Sequence, residues 1–202
     1  MSTEVLVLGI GNILWADEGF GVRCVEELDR RYAMAPGVEV LDGGTQGLYL
    51  VHRIRDAKRL VVFDAIDYGV EPGTLKLVRD DEVPKFHGVR KMSLHQTGFQ
   101  DVLSAADLLG GGPSSVLLIG VQAGLLDDYG GSLTEPVRAQ VGPALRVALD
   151  QLAAWGFPAV ERAEPKPSLM EGGLDWRSYE AGRPSAEEAC RVGDARFLPV
   201  QG

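Results

Sequence analysis

Cysteine and histidine are scarce in this chain: its 202 residues contain two of the first, Cys24 and Cys190, and three of the second, His52, His87 and His95. The cysteines stand far apart and form no CxxC pair. That excludes a disulfide framework and a thiolate-built zinc or iron–sulfur site, and it suits a reducing cytoplasm with both thiols structural. Long apolar runs are missing too; none approaches the ~20 residues that cross a bilayer. The start, Met1-Ser2-Thr3-Glu4, lacks the basic region of a secretion signal. The expectation is a cytoplasmic protein with no membrane contact. Basic residues are the minority, 20 against 29 acidic for a net charge of −9, and they form no cluster. That argues against nucleic acid as a partner. HExxH, GxSxG and internal repeats are all absent, which removes the usual zinc-protease and serine-hydrolase signatures.

What is present is 45% apolar and 24% charged sequence, the profile of an ordinary globular domain. A chain of this size buries roughly 70% of its unfolded surface, so it needs no covalent or metal staple to fold. The run Val5 to Ile10 is continuously apolar, as in a parallel strand covered on both faces. Val22, Val25, Leu28 and Tyr32 then recur at helical spacing, with Asp17 as the expected cap of a helix from Glu18 to Tyr32. Further strands are expected at Val38–Leu41, Leu60–Ala65 and Val116–Val121, with Leu75–Val78 as an edge strand or half a hairpin. Helices are expected around Leu48, Val51 and Ile54, over Phe99–Leu109, and from Leu133 to Trp155 with a kink at Pro143. Residues 80–98 read as a long functional loop.

Strands alternating with helices predict a three-layer α/β/α fold, a mostly parallel twisted sheet of about five strands with helices on both faces. The expected domains are residues 1–156, the α/β catalytic unit, and 157–202, an extension that holds five of the eleven prolines. Trp176, Tyr179, Phe197 and Leu198 are its expected anchors.

In such sheets ligands bind beyond the carboxyl ends of the strands. The polar residues there are Asn12, Asp17 and Glu18, then Asp42 and Thr45, then Asp64 and Asp67, and His95 before the following helix. Gly9-x-Gly11 follows a strand, but Leu14 stands where a dinucleotide fingerprint needs its third glycine, and two acids occupy the loop where a pyrophosphate would sit. No nucleotide is expected. Glu18, Asp64 and His95 form a mixed oxygen and nitrogen set suited to a borderline divalent ion such as nickel or zinc, with positions left open. A plainer reading makes Glu18 a first-turn acid, Asp64 a loop cap and His95 a hydrogen-bonded loop residue. Spacing leaves both standing. A serine mechanism at Ser93 beside His95 is the weaker scheme, His87 is at most a second ligand, and His52 belongs on a helix surface.

The segments GIGNILWADEGFGVR (9–23), LDGGTQG (41–47), VVFDAID (61–67) and KMSLHQTGFQDVL (91–103) together resemble the hydrogenase maturation endopeptidases, above all those serving membrane-bound uptake hydrogenases. The similarity runs in order over residues 4 to 155. It implies an enzyme that removes a C-terminal peptide from the large-subunit precursor of a nickel–iron hydrogenase after nickel insertion. The family's metal-contacting Glu, Asp and His fall on Glu18, Asp64 and His95, and Glu18 and Asp64 become the catalytic candidates. Its glycine-rich substrate loop falls on Asp42, Gly43, Gly44 and Thr45. The resemblance makes nickel something the precursor presents, and makes that precursor the partner. The small size and polar helices favour a monomer. Two other classes stay open: a non-catalytic chaperone sensing the metallated precursor, and a nucleotide-binding oxidoreductase.

Overall fold

Strands as apolar as Val5–Ile10 must be covered on both faces, and in the computed structural model, which describes residues 3–83, 102–170 and 174–182, they are. The elements run β1 (Thr3–Ile10), α1 (Phe20–Arg31), β2 (Tyr32–Ala33), β3 (Val38–Gly44), α2 (Val51–Arg55), β4 (Ala57–Ile66) and β5 (Leu75–Arg79). After them come a helical segment over residues 102–108 (α3), β6 (Ser115–Gln122), α4 (Glu135–Arg138), α5 (Val141–Ala154), β7 (Val160–Glu161) and α6 (Trp176–Gly182). The main sheet has the order β3-β1-β4-β6-β5. Its first four strands are parallel, and β5 lies antiparallel on the edge beside β6. This is the expected five-stranded α/β arrangement, with β5 as the edge strand.

The pleat divides the core in two. Val5 and Val7, Val61 and Phe63, and Leu117 and Ile119 face α1 and α5; Leu6 and Leu8, Leu60 and Val62, and Leu118 face α2 and α3. Phe20 and Phe63 are wholly enclosed on the first face, and burying side chains of this size stabilises by roughly 1.5–3 kcal/mol each.

Four expectations change. The last helix is two helices, because Pro143 cannot donate to the Ala139 carbonyl and its ring would strike it. The chain breaks at Ala139–Gln140 and restarts, so Pro143 falls in the first turn of α5, where its missing N–H costs nothing. The helix expected to carry Leu48 starts after it: Leu48 lies 65% exposed in a short 3-10 turn before α2, while Val51 and Ile54 belong to α2 and are buried. Asp17 does not cap α1; Gly19 is the N-cap, and no side chain bonds there. Finally, β2 and β7 form a small antiparallel ribbon that the sequence pattern did not suggest, tying the chain after Trp155 back to the end of α1.

Candidate functional site

All four parallel strands end at one edge of the sheet, and the acidic residues singled out from the sequence lie either in those strand ends, as Asp42 and Asp64 do, or in the turns leaving them, as Asp17, Glu18 and Asp67 do. The turn after β1 is built on close backbone contact. Gly11 adopts φ +132°, and a Cβ there would lie 1.8 Å from the Glu18 carbonyl oxygen, so only glycine lets the turn fold back on itself. Two residues into α1, a Cβ on Gly21 would meet the carbonyls of Phe63 at 2.2 Å and Ile10 at 2.3 Å. The start of α1 therefore presses directly on the ends of β1 and β4. This seats the half-buried Glu18, on the 3-10 turn Ala16–Gly19, beside the strand whose next residue after Phe63 is Asp64.

The turn is held by Asp17, which is fully buried. Its carboxylate accepts the N–H groups of Gly124 (2.8 Å), Leu125 (2.9 Å) and Thr134 (2.7 Å) and the Thr134 hydroxyl (3.0 Å). The Asp17 N–H in turn donates to the Leu125 carbonyl at 3.1 Å. Beside it Ala16 has φ +41°, a left-handed conformation unfavourable to a residue with a Cβ. The Asp17 bonds hold that strained backbone in place.

Asp64 is buried near the end of β4, opposite Gly120 of β6, on the face that it shares with Val62 and Ile66. Tyr68 stands close by: burial, and then the Asp64 charge, push its phenol well above its ordinary value, so it stays protonated. The Lys76 ammonium lies 4.7 Å from the centre of the Tyr68 ring. Buried Gln122 orders the turn after β4, its side-chain oxygen accepting from the N–H of Tyr68 (2.7 Å) and its amide donating to Asp67 (3.1 Å) and the Ala123 carbonyl (2.9 Å). Tyr68 and Gln122 escape sequence reasoning. Tyr68 does stand four residues beyond Asp64, but no pattern marks it.

The glycine-rich segment is less of a loop than expected. Asp42, Gly43 and Gly44 belong to β3, Gly43 is the extra residue of a bulge opposite β1, and only Thr45 lies in the turn beyond. Gly44 takes φ +46°, and its N–H donates to an Asp42 carboxylate oxygen at 2.9 Å. Asp42 shares its pleat with Val38 and Val40, the side facing α1, so it lies across the sheet from Asp64. Burial raises its carboxyl; the Gly44 N–H opposes this, Glu26 of α1 adds to it, and Arg23 opposes it weakly.

His95, His87 and Ser93 lie outside the described residues, as does Cys190. Among the described residues no three histidine, cysteine, aspartate or glutamate side chains gather into a metal cage. The structure thus brings the Glu18 turn and the Asp64 strand together at one edge, separates Asp42 onto the other face, and leaves His52 exposed on α2. The chain's own Glu18 carbonyl fills the space beside Gly11.

The family model described as Hydrogenase maturation protease matches residues 22–151. The chain is 60% identical over 198 residues to the hydrogenase expression/formation protein HoxM of Azotobacter vinelandii, covering 98% of this chain and 96% of that protein. It is 43% identical over 160 residues to the hydrogenase 2 maturation protease of Escherichia coli, covering 79% of this chain and 96% of that one. Among solved structures, the hydrogenase maturating endopeptidase HybD from E. coli matches with a TM-score of 0.74 at 42% identity, over 79% of this chain and 98% of its own.

Proposed function

The chain belongs to the hydrogenase maturation protease family, and from that premise we propose that it trims a C-terminal peptide from the nickel-loaded large-subunit precursor of a nickel–iron hydrogenase. The observation that carries the site assignment is the seating of Gly21 on the Phe63 carbonyl, which docks the Glu18 turn against the strand end bearing buried Asp64. Two carboxylates at one partly desolvated edge repel each other, and a cation relieves that repulsion. Nickel carried by the precursor is such a cation; Glu18, Asp64 and His95 complete its coordination, so binding reports that the metal has been inserted. The nickel would supply Lewis-acid chemistry there, and a carboxylate of Glu18 or Asp64 would take a proton from the attacking water and return it to the amine that leaves as the C–N bond breaks.

Exposed apolar side chains around the same edge favour a protein as substrate over a small molecule. Tyr49 is 88% exposed and Leu48 65% in the turn after β3, and Tyr129 is 55% exposed beyond β6. Residues 1–156 supply the sheet and both helical layers and form the catalytic unit; 157–202 are an extension of it. The enzyme works as a cytoplasmic monomer without nucleotide, nucleic acid or membrane. No helix among the described residues is long and apolar enough to cross a bilayer. The test is to incubate purified precursor, with and without nickel, with the protein. A size decrease only for the nickel-loaded form supports the reading; stable binding without any cleavage makes the protein a chaperone instead.

A further inference from the structure

We propose that α6 in the extension is a positioning element for the strand-end site, acting on the Trp15–Gly19 turn through the 129–132 loop. Helix α6 has seven residues, none fully buried, and of its side chains Trp176 packs part-buried against the core, so neither its length nor that one apolar contact accounts for its place. Polar contacts complete it. At its start, Arg23 on α1 donates to the Leu174 carbonyl at 2.7 Å, and the Trp176 N–H donates to Glu26 at 2.8 Å. Arg23 and Glu26 are themselves an ion pair at 2.8 Å with side chains only 3% and 5% exposed. Charges buried to that degree need every partner they have, and the extension supplies these two and more, since the Ser168 hydroxyl also donates to Glu26 at 2.9 Å and the Met170 sulfur lies 3.5 Å from Arg23.

Further along, the Tyr179 hydroxyl donates to the Gly131 carbonyl at 3.2 Å, the Ser132 hydroxyl donates to Glu180, and Arg138 pairs with Glu180 at 3.0 Å. The loop so gripped is the one that holds Trp15. Trp15 forms β-bridges to Tyr129 and Gly131, its ring meets that of Tyr129 edge-on at 5.3 Å, and Gly130 donates to the Leu14 carbonyl at 2.8 Å. The Trp15 carbonyl then accepts the N–H of Glu18 at 2.9 Å. A continuous set of contacts thus runs from Tyr179 and Glu180 to the backbone of Glu18. Asp17 grips the same 124–134 segment from the other side, so the strained turn is held between two anchors, one in the catalytic unit and one in the extension.

The kinetic consequence rests on the reading of Glu18 as a site residue; the mechanical coupling does not. The test uses the full chain carrying Tyr179→Phe with Glu180→Gln, both close in volume to the originals. Amide hydrogen exchange is followed over residues 12–19 and 129–133, and cleavage is followed over a range of nickel-loaded precursor concentrations. Exchange in both segments should speed up by about tenfold while β1, β4 and β6 keep their protection, since only a local opening is eased. The kcat should fall by about fivefold or more with KM little changed, as for a group that shifts the reacting geometry rather than docking, and Glu180→Asp alone should keep most of the rate. Unchanged protection over 12–19, or an unchanged kcat, overturns the proposal. A Glu18→Gln protein that cleaves normally while the α6 variant shows both effects leaves the positioning role standing and removes only the assignment of Glu18.

Discussion

The enclosed carboxylate of Asp17 accepts both the backbone N–H and the hydroxyl of Thr134, a residue 117 positions further along the chain. Those bonds, with the two from Gly124 and Leu125, use the acceptor capacity of a carboxylate in a way an amide cannot copy. In Asp17→Asn the side-chain NH2 faces backbone donors and at least one bond is lost inside the protein. The unfolding free energy should fall by about 2–4 kcal/mol, measured by urea denaturation. Stability within experimental error of the parent would contradict the role given to this residue.

Gly21 offers a prediction whose sign is opposite to helix propensity. An exposed helical glycine replaced by alanine gains roughly 1 kcal/mol. Here the new Cβ would stand 2.2 Å from the Phe63 carbonyl oxygen and 2.3 Å from that of Ile10, both backbone atoms. Gly21→Ala should therefore destabilise by about 3 kcal/mol and lower cleavage by displacing the Glu18 turn. Thermal unfolding decides it, and a raised midpoint would mean that α1 does not press on the strand ends.

Asp42 should make stability depend on pH. Burial raises its folded-state carboxyl above the ordinary 3.8, so ionisation favours the unfolded chain. Below pH 3.8 both states are protonated and the cost vanishes; it grows as the pH rises from there and is complete above the raised value. Asp42→Asn keeps an oxygen for the Gly44 N–H and removes the charge. It should be more stable than the parent at pH 7, by a margin that shrinks as the pH is lowered toward 4. A margin equal at both pH values would rule out the charge as its cause.

Cys24 is wholly enclosed by the core, and burial drives its thiol well above 9.0. In a Cys190→Ser protein, a disulfide reagent at pH 8 should label Cys24 only once denaturant is added, because neither the thiolate nor a path to it exists in the native state. Prompt labelling of the folded protein would contradict the packing of α1.

The fold was legible where one side chain reports on one environment. Val5–Ile10, Leu60–Phe63 and Val116–Val121 are apolar on both faces, and each lies in a central parallel strand. Boundaries shifted where backbone geometry decided them, as at Gln140 before Pro143 and at the Gly43 bulge. The strand-end location of Glu18 and Asp64 was readable because alternating elements fix where strands finish. The roles of Asp17, Gln122 and α6 were not. Asp17 reads as a helix cap until its partner across the sequence is known; Trp176 and Tyr179 were readable as anchors of the extension, but neither they nor Glu180 carry a local sign of the loop that α6 holds. Contacts of that range leave no periodicity behind.

The proposed function rests on engagement of the precursor's nickel by Glu18, Asp64 and His95. The decisive measurement is the rate of size reduction of nickel-loaded precursor by Asp64→Asn and His95→Ala, with His52→Ala as the control at an exposed position of α2 and folding of each verified by circular dichroism. Asp64→Asn keeps the volume and removes a charged ligand, so cleavage should drop by about 100-fold or more. His95→Ala should behave alike, and His52→Ala should match the parent. Near-normal cleavage by folded Asp64→Asn and His95→Ala proteins would contradict the account.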